Sequence, residues 1–151
     1  IDYIKRLVGL PGDTIQMKAG RLYINHNMVN RIFLGEYEAF SVPDNKNVTY
    51  KRYREELPGG HDHDIIEESD KGPLDSTDIY HVPADHYFMM GDNRDGSQDS
   101  RVMEEVGFVP TENLVGRAEN IFFSLDEKAQ IWEVWKWPEF ARFKRFLKKI
   151  V

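Results

Sequence analysis

Hydrophobic and polar positions alternate most cleanly from residue 14 to 25, "TIQMKAGRLYIN". Ile15 and Met17 alternate with polar neighbours, Ala19-Gly20 supplies a turn, and Leu22 and Ile24 resume the alternation. This predicts a β-hairpin with one buried face. "HNMVNRIF" continues as a strand after an Asn-rich turn. From Gly35 to Tyr80 the pattern weakens. "SVPDNKN", "LPGGHDHD" and "DKGPLDST" carry turn residues, with short strand candidates "VTYKRYRE" and "DIIEES" between them. Order returns at Pro83-Ala84-Asp85, a turn, and "HYFMM", a short buried strand ending at Gly91. "GFVPTENLVGRAENIFFSL" predicts a turn, one short helical turn near Thr111 to Leu114, and a strand from Arg117 to Ser124.

Sustained helical spacing occurs only in the tail, 131–151. Phe140, Phe143, Phe146, Leu147 and Ile150 lie along one stripe, Arg142, Lys144, Arg145, Lys148 and Lys149 fall between them, and Trp132, Trp135 and Trp137 precede Pro138. This is the pattern of a basic amphipathic helix, suited to an anionic lipid surface or to packing on a β body. The expected class is therefore mainly β, as two antiparallel units with a C-terminal basic amphipathic helix.

Composition narrows the chemistry. The chain has no cysteine, which excludes disulfides, thiol catalysis and cysteine–zinc sites. No apolar run reaches transmembrane length. The tail carries six Lys/Arg against two Glu, a net +4, so residues 1–130 hold −10 within a chain of net −6. An acidic body with a basic aromatic tail argues against a nucleic-acid partner and gives the tail a different neighbour from the body. The abrupt, strand-like start "IDYIKRLVGL", without Met, is the start expected of a cut chain.

Three segments can carry chemistry. A lysine acts as a general base only when its amine is neutral, and burial among apolar groups favours the neutral form. In an alternating strand Tyr3, Lys5 and Leu7 share a face, so Tyr3 and Leu7 are expected to cover Lys5; an edge-strand lysine pointing at water fits the same segment. "GDNRDGSQDSR", residues 91–101, allows a calcium loop built on Asp92, Asp95 and Asp99, although the register of a calcium hand and its closing Glu are absent. It equally allows Asp99 to pair with Arg101 while Ser97 orients a catalytic group, or a solvated charged loop. His61-x-His63 sits in a Gly/Asp-rich loop with no third ligand in sight, and no metal is assigned to it.

Taken together, "YIKRLVGLPGD", then "YFMMGDNRDGSQDSR" and "GFVPTENLVGRA" in the same order, resemble bacterial type I signal peptidase (leader peptidase) over about a third of the chain. That resemblance implies a membrane-bound Ser/Lys serine endopeptidase at the bacterial inner membrane, working on the periplasmic face without cofactor or metal. Its partners would be preprotein signal peptides and the lipid surface. It implies Lys5 as general base, Ser97 as the hydroxyl bonded to it, Asp99 and Arg101 as the pair ordering the site, and Asp92 and Arg6 as supporting partners. Asp2, Tyr3 and Ile4 would line the substrate cleft. The catalytic core would comprise 1–13 and 83–130, a β-ribbon insertion 14–82, and the tail 131–151. Gly96 stands where the family often has Asn. The family's S-M-x-P-T nucleophile motif is missing, so this is expected to be a C-terminal part, inactive alone, with exposed strand edges able to self-associate. A self-cleaving repressor-type Ser/Lys protease shares the dyad but fits the long 91–101 run poorly. A non-catalytic membrane-surface module and a catalytically dead homologue remain the alternatives.

Overall fold

The computed structural model describes residues 2–41, 45–121 and 149–150. Its strands in chain order are β1 (Arg6–Gly9), β2 (Thr14–Lys18), β3 (Arg21–Ile24), β4 (Asn27–Met28), β5 (Asn30–Ser41), β6 (Lys46–Leu57), β7 (His61–Glu67), β8 (Tyr80–His81), β9 (His86–Met90) and β10 (Val109–Pro110). They form three antiparallel sheets, ordered β1-β9-β10, β4-β3-β2-β8 and β5-β6-β7. The only helical element described is a 3₁₀ turn at Thr111–Asn113, close to where the sequence predicts one. The mainly β, antiparallel class therefore holds, and among the described residues no helix is long and apolar enough to cross a membrane.

The β2–β3 hairpin forms as its alternation predicts. Lys18 pairs with Arg21, so the connection has two residues. Both take positive φ, Ala19 at 47° and Gly20 at 72°, as the twist of a tight hairpin demands. Its inward residues Ile15, Met17, Leu22 and Ile24 join Val8, Val29, Leu57, Val82, Phe88 and Met90 in one apolar cluster, with Tyr80 and Phe108 packed against it. Residues on both sides of positions 14 and 82 thus share a core. Phe88 lies at its centre, its ring 5.0 Å from Tyr80 and 6.1 Å from Phe108. Gly9 lets β1 come close, since a Cβ there would sit 2.9 Å from both Ile15 and the Phe88 Cβ.

The third sheet is longer than the sequence pattern suggests. β5 and β6 have twelve residues each and pair from Asn30↔Glu56 to Ser41↔Lys46, with a bulge between Phe33 and Gly35. Aromatic pairs across the ladder, Phe33–Tyr53 and Tyr37–Tyr50, stabilise a ribbon that lacks a consistent apolar face. Leu57 pairs with His61 across Pro58-Gly59-Gly60, so His61–Asp64 belongs to a strand and not to the predicted loop. The predicted strand 117–124 is also corrected. Residues 117–119 are irregular and Asn120 makes a single antiparallel bridge to Lys149. The rest of that segment and the predicted tail helix lie outside the described residues. By compactness the chain divides into Ile1–Val115 and Gly116–Val151, the second including the Asn120–Lys149 bridge.

Arg31 ties the ribbon to the β2–β3 turn. Its guanidinium bonds the Gly20 carbonyl, Glu67 and both oxygens of Asp70, and stacks over Tyr53. One cation thus serves two carboxylates. Burial pushes Glu67 up to about 8, which Arg31 only partly opposes, while Arg31 overcomes the burial of Asp70 and holds that carboxyl below its usual range. A carboxyl whose pKa is raised in the folded state favours folding while protonated. Its contribution is complete below about 4.5 and is lost as pH rises toward 8, by at most about 1.4 kcal/mol per pH unit. Glu67→Gln is expected to flatten this decline, read as urea midpoints at pH 5.5 and 7.5.

Candidate active site

β1 and β9 bring the two motifs together. Arg6 pairs with Met90 in the ladder, which sets Lys5 beside Gly91 at the exit of β9. Lys5 Nζ donates to Ser97 Oγ at 2.7 Å, across 92 positions of sequence. Gly91 is required for this approach: a Cβ there would lie 2.1 Å from Ser97 Oγ. Arg6 forks onto Asp92, with Nε to Oδ1 at 2.8 Å and Nη2 to Oδ2 at 2.9 Å. Adjacent residues of one segment therefore grip two points of the same loop.

Lys5 itself precedes the first paired residue of β1 and is partly buried. Tyr3 is 76% exposed and Leu7 42% exposed, so neither supplies the apolar cover expected of it. The reason is that residues 2–5 are not held in a ladder, and alternation does not extend through them. Asp2, Tyr3 and Ile4 lie along this unpaired, exposed stretch.

The loop after Gly91 is fixed by buried charge. Asp99 is fully buried and accepts from Arg101 Nε and Nη2, both at 2.8 Å, from the Arg101 main-chain N–H at 3.2 Å and from the Gly91 N–H at 3.0 Å. Burial alone would raise its pKa, and the Arg101 guanidinium outweighs that, holding the carboxyl below the usual range. Ser100 stitches the loop back onto β9, its N–H donating to the Met89 carbonyl and its Oγ accepting from the Met89 N–H. Asn93 Oδ1 accepts from the Gly96 N–H, and a Cβ at Gly96 would lie 2.7 Å from Asn93 Nδ2. In this chain the Asn93 side chain uses the space that a larger residue at 96 would need.

The calcium reading does not survive. Asp92 pairs with Arg6, Asp95 Oδ2 accepts from the Glu68 and Ser69 N–H groups, and Asp99 pairs with Arg101. The three carboxylates diverge, and among the described residues no group of three metal-ligating side chains converges. Other hydroxyls have structural partners: Ser69 caps Lys71 and Ser76 accepts from Ala19. What this geometry does is hold the Lys5 amine against a fixed hydroxyl beside an exposed segment that lies outside any ladder.

Sequence reasoning missed one group. Arg94 bonds Glu55 through both terminal nitrogens, and His63 Nε2 lies 3.3 Å from the same carboxylate. Burial raises Glu55, and Arg94 with His63 more than reverses it, to about 2. The only signal was the charge density of residues 91–101; nothing in the ribbon pattern marked Glu55 or His63 as buried.

Comparison with known proteins supplies the frame. Residues 1–123 match the family model described as signal peptidase, peptidase S26. The chain is 38% identical over 130 residues to signal peptidase I of Rickettsia akari, covering 82% of this chain and 46% of that protein. It is 40% identical over 133 residues to the Rickettsia canadensis signal peptidase I, with the same coverages. The chain thus spans about half the length of the relatives it matches. A crystal structure of a signal peptidase I from Enterococcus faecalis V583 aligns at a TM-score of 0.38 and 30% identity, over 76% of this chain and 80% of that one. With the family model matching most of its length, the chain belongs to the signal peptidase family, peptidase S26.

Proposed function

We propose that this chain carries the general-base half of a Ser/Lys endopeptidase that removes signal peptides from exported preproteins. The observation that carries this reading is the 2.7 Å bond from Lys5 to Ser97 beside Gly91, braced by Arg6–Asp92 and Asp99–Arg101. The nucleophilic serine is assigned to a segment preceding residue 1, in line with a chain spanning about half of its relatives. Its hydroxyl proton passes to Lys5 Nζ as the oxygen attacks the scissile carbonyl. Lys5 returns that proton to the leaving amine, then takes one from the water that attacks the acyl-enzyme and delivers it to the departing serine oxygen, which restores the starting state. Asp2, Tyr3 and Ile4 offer an exposed segment outside any ladder, against which a substrate strand with small residues before the cleavage point can pair. In this reading 1–13 and 83–130 supply the catalytic residues, and 14–82 is an insertion whose β2–β3 hairpin shares their apolar core. The site of action is the outer face of a bacterial inner membrane.

The test is cleavage of a preprotein-like peptide with a small-x-small site by two proteins, this chain alone and the chain extended by its upstream segment. Turnover is expected in the extended protein only. Turnover by the chain alone would remove the upstream serine from the reading. Silence in both would favour a catalytically dead homologue or a membrane-surface module.

A further inference from the structure

Among the buried polar side chains that the reaction does not use, Glu55, His63 and Arg94 form one cluster. Glu55 on β6 and His63 on β7 are direct cross-strand partners, and Glu55 holds Arg94 from the loop after Gly91. Arg94 is 1%, Glu55 2% and His63 4% exposed. Desolvating such a group is costly and seldom adds net stability, and what the cluster does fix is the geometry of the loop it holds.

The main chain around Arg94 shows which geometry that is. Its N–H donates to the Ile66 carbonyl at 3.0 Å, and the Ile66 N–H donates to the Asp92 carbonyl at 2.9 Å, so the loop lies along β7 as a short parallel bridge at Asn93. The Arg94 carbonyl accepts from Arg101 Nη2, the same nitrogen that grips Asp99. One residue later, Asp95 fastens the loop to the Glu68 and Ser69 N–H groups. An unbroken path of bonds therefore runs from the ribbon sheet through Arg94 and Arg101 to Asp99, and from Asp99 to the Gly91 N–H beside Ser97.

Resting on Lys5 as the general base, we propose that Glu55 and His63 are positioning residues for the reaction: the ribbon sheet fixes Arg94, and Arg94 fixes the loop that keeps the Ser97 hydroxyl on Lys5. The ribbon then acts on the chemistry without touching substrate.

Glu55→Gln keeps the shape and removes the charge. In the upstream-extended protein it is expected to lower kcat by about ten-fold or more with KM nearly unchanged, since small misplacements at a reacting centre are costly. In the chain itself, hydrogen exchange at the Gly91, Arg94 and Ser100 amides is expected to quicken about ten-fold while the β2–β3 hairpin keeps its protection. His63→Gln, which leaves the Glu55–Arg94 pair in place, is the milder variant and serves if Glu55→Gln fails to fold. A folded variant with an unchanged loop, or one in which all amides quicken equally, would overturn the proposal. An unchanged kcat beside a loosened loop would overturn it as well, and the exchange measurement, which needs no turnover, tests the ribbon's hold on the loop separately from the peptidase reading.

Discussion

Lys5→Ala in the upstream-extended protein is expected to lower turnover about a thousand-fold or more while leaving the melting temperature nearly unchanged. Positioned proton transfer contributes about 10²–10⁴-fold to a rate, and with the amine gone there is no second base within reach of Ser97 among the described bonds. The fold should barely notice. Lys5 lies outside the β1 ladder and outside the apolar cluster, and the Ser97 hydroxyl it releases is only partly buried and can turn to water. Ser97→Ala separates two roles. If Ser97 only orients the amine, the loss is smaller than that of Lys5→Ala, about 10²-fold, and an acylating inhibitor still labels the upstream serine. If Ser97 were itself the nucleophile, the loss would be complete and the label would map to residue 97. Lys5→Ala activity within about ten-fold of the parent would remove Lys5 from the mechanism, since an essential base cannot be dispensed with so cheaply.

The Lys5–Ser97 bond shows both the reach and the limit of reading the chain as a string. The resemblance carried by the two ordered motifs implies Lys5, Ser97, Asp99, Arg101, Arg6 and Asp92, and all six lie within one set of bonds. Periodicity contributed little to that result. It served the β2–β3 hairpin and β9, where one face is apolar and the turns are tight. It failed at Tyr3 and Leu7, because alternation predicts cover only where a ladder holds the strand flat, and residues 2–5 have none. It also failed in the ribbon, where backbone pairing and aromatic cross-strand contacts carry β5 and β6 with little apolar burial. The Gly and Asp neighbours of His63 predict a loop there. His63 is instead a buried strand residue whose partner, Glu55, lies eight positions earlier. Burial of that kind is set by Arg94 arriving from the loop after Gly91, and no local window contains it.

The loop after Gly91 is thus specified more by charge than by apolar contact, and Asp99→Ala should expose how much rests on it. The substitution removes one carboxylate that accepts four N–H groups, and it leaves the Arg101 guanidinium buried at 3% exposure without its counter-charge. Breaking one side of a buried ion pair costs about 3–5 kcal/mol, against a total stability of about 5–15 kcal/mol for a domain of this kind. The expected result is a fall in melting temperature of about 10 °C, with early loss of protection at the Gly91 amide. Asp99→Ala combined with Arg101→Met should recover most of that loss, because the penalty comes from the orphaned charge and not from the missing bonds. Acid adds an independent reading. Asp99 is held below the usual carboxylate range in the folded state, so its contribution is present above about pH 4 and is lost as pH falls through the folded value. Glu55, at about 2, contributes in the same acid window. The double variant should therefore lose part of the acid sensitivity and keep the part that belongs to Glu55. If the single variant stays within about 1 kcal/mol of the parent, surface-pair energetics apply and the loop is ordered by something other than this pair.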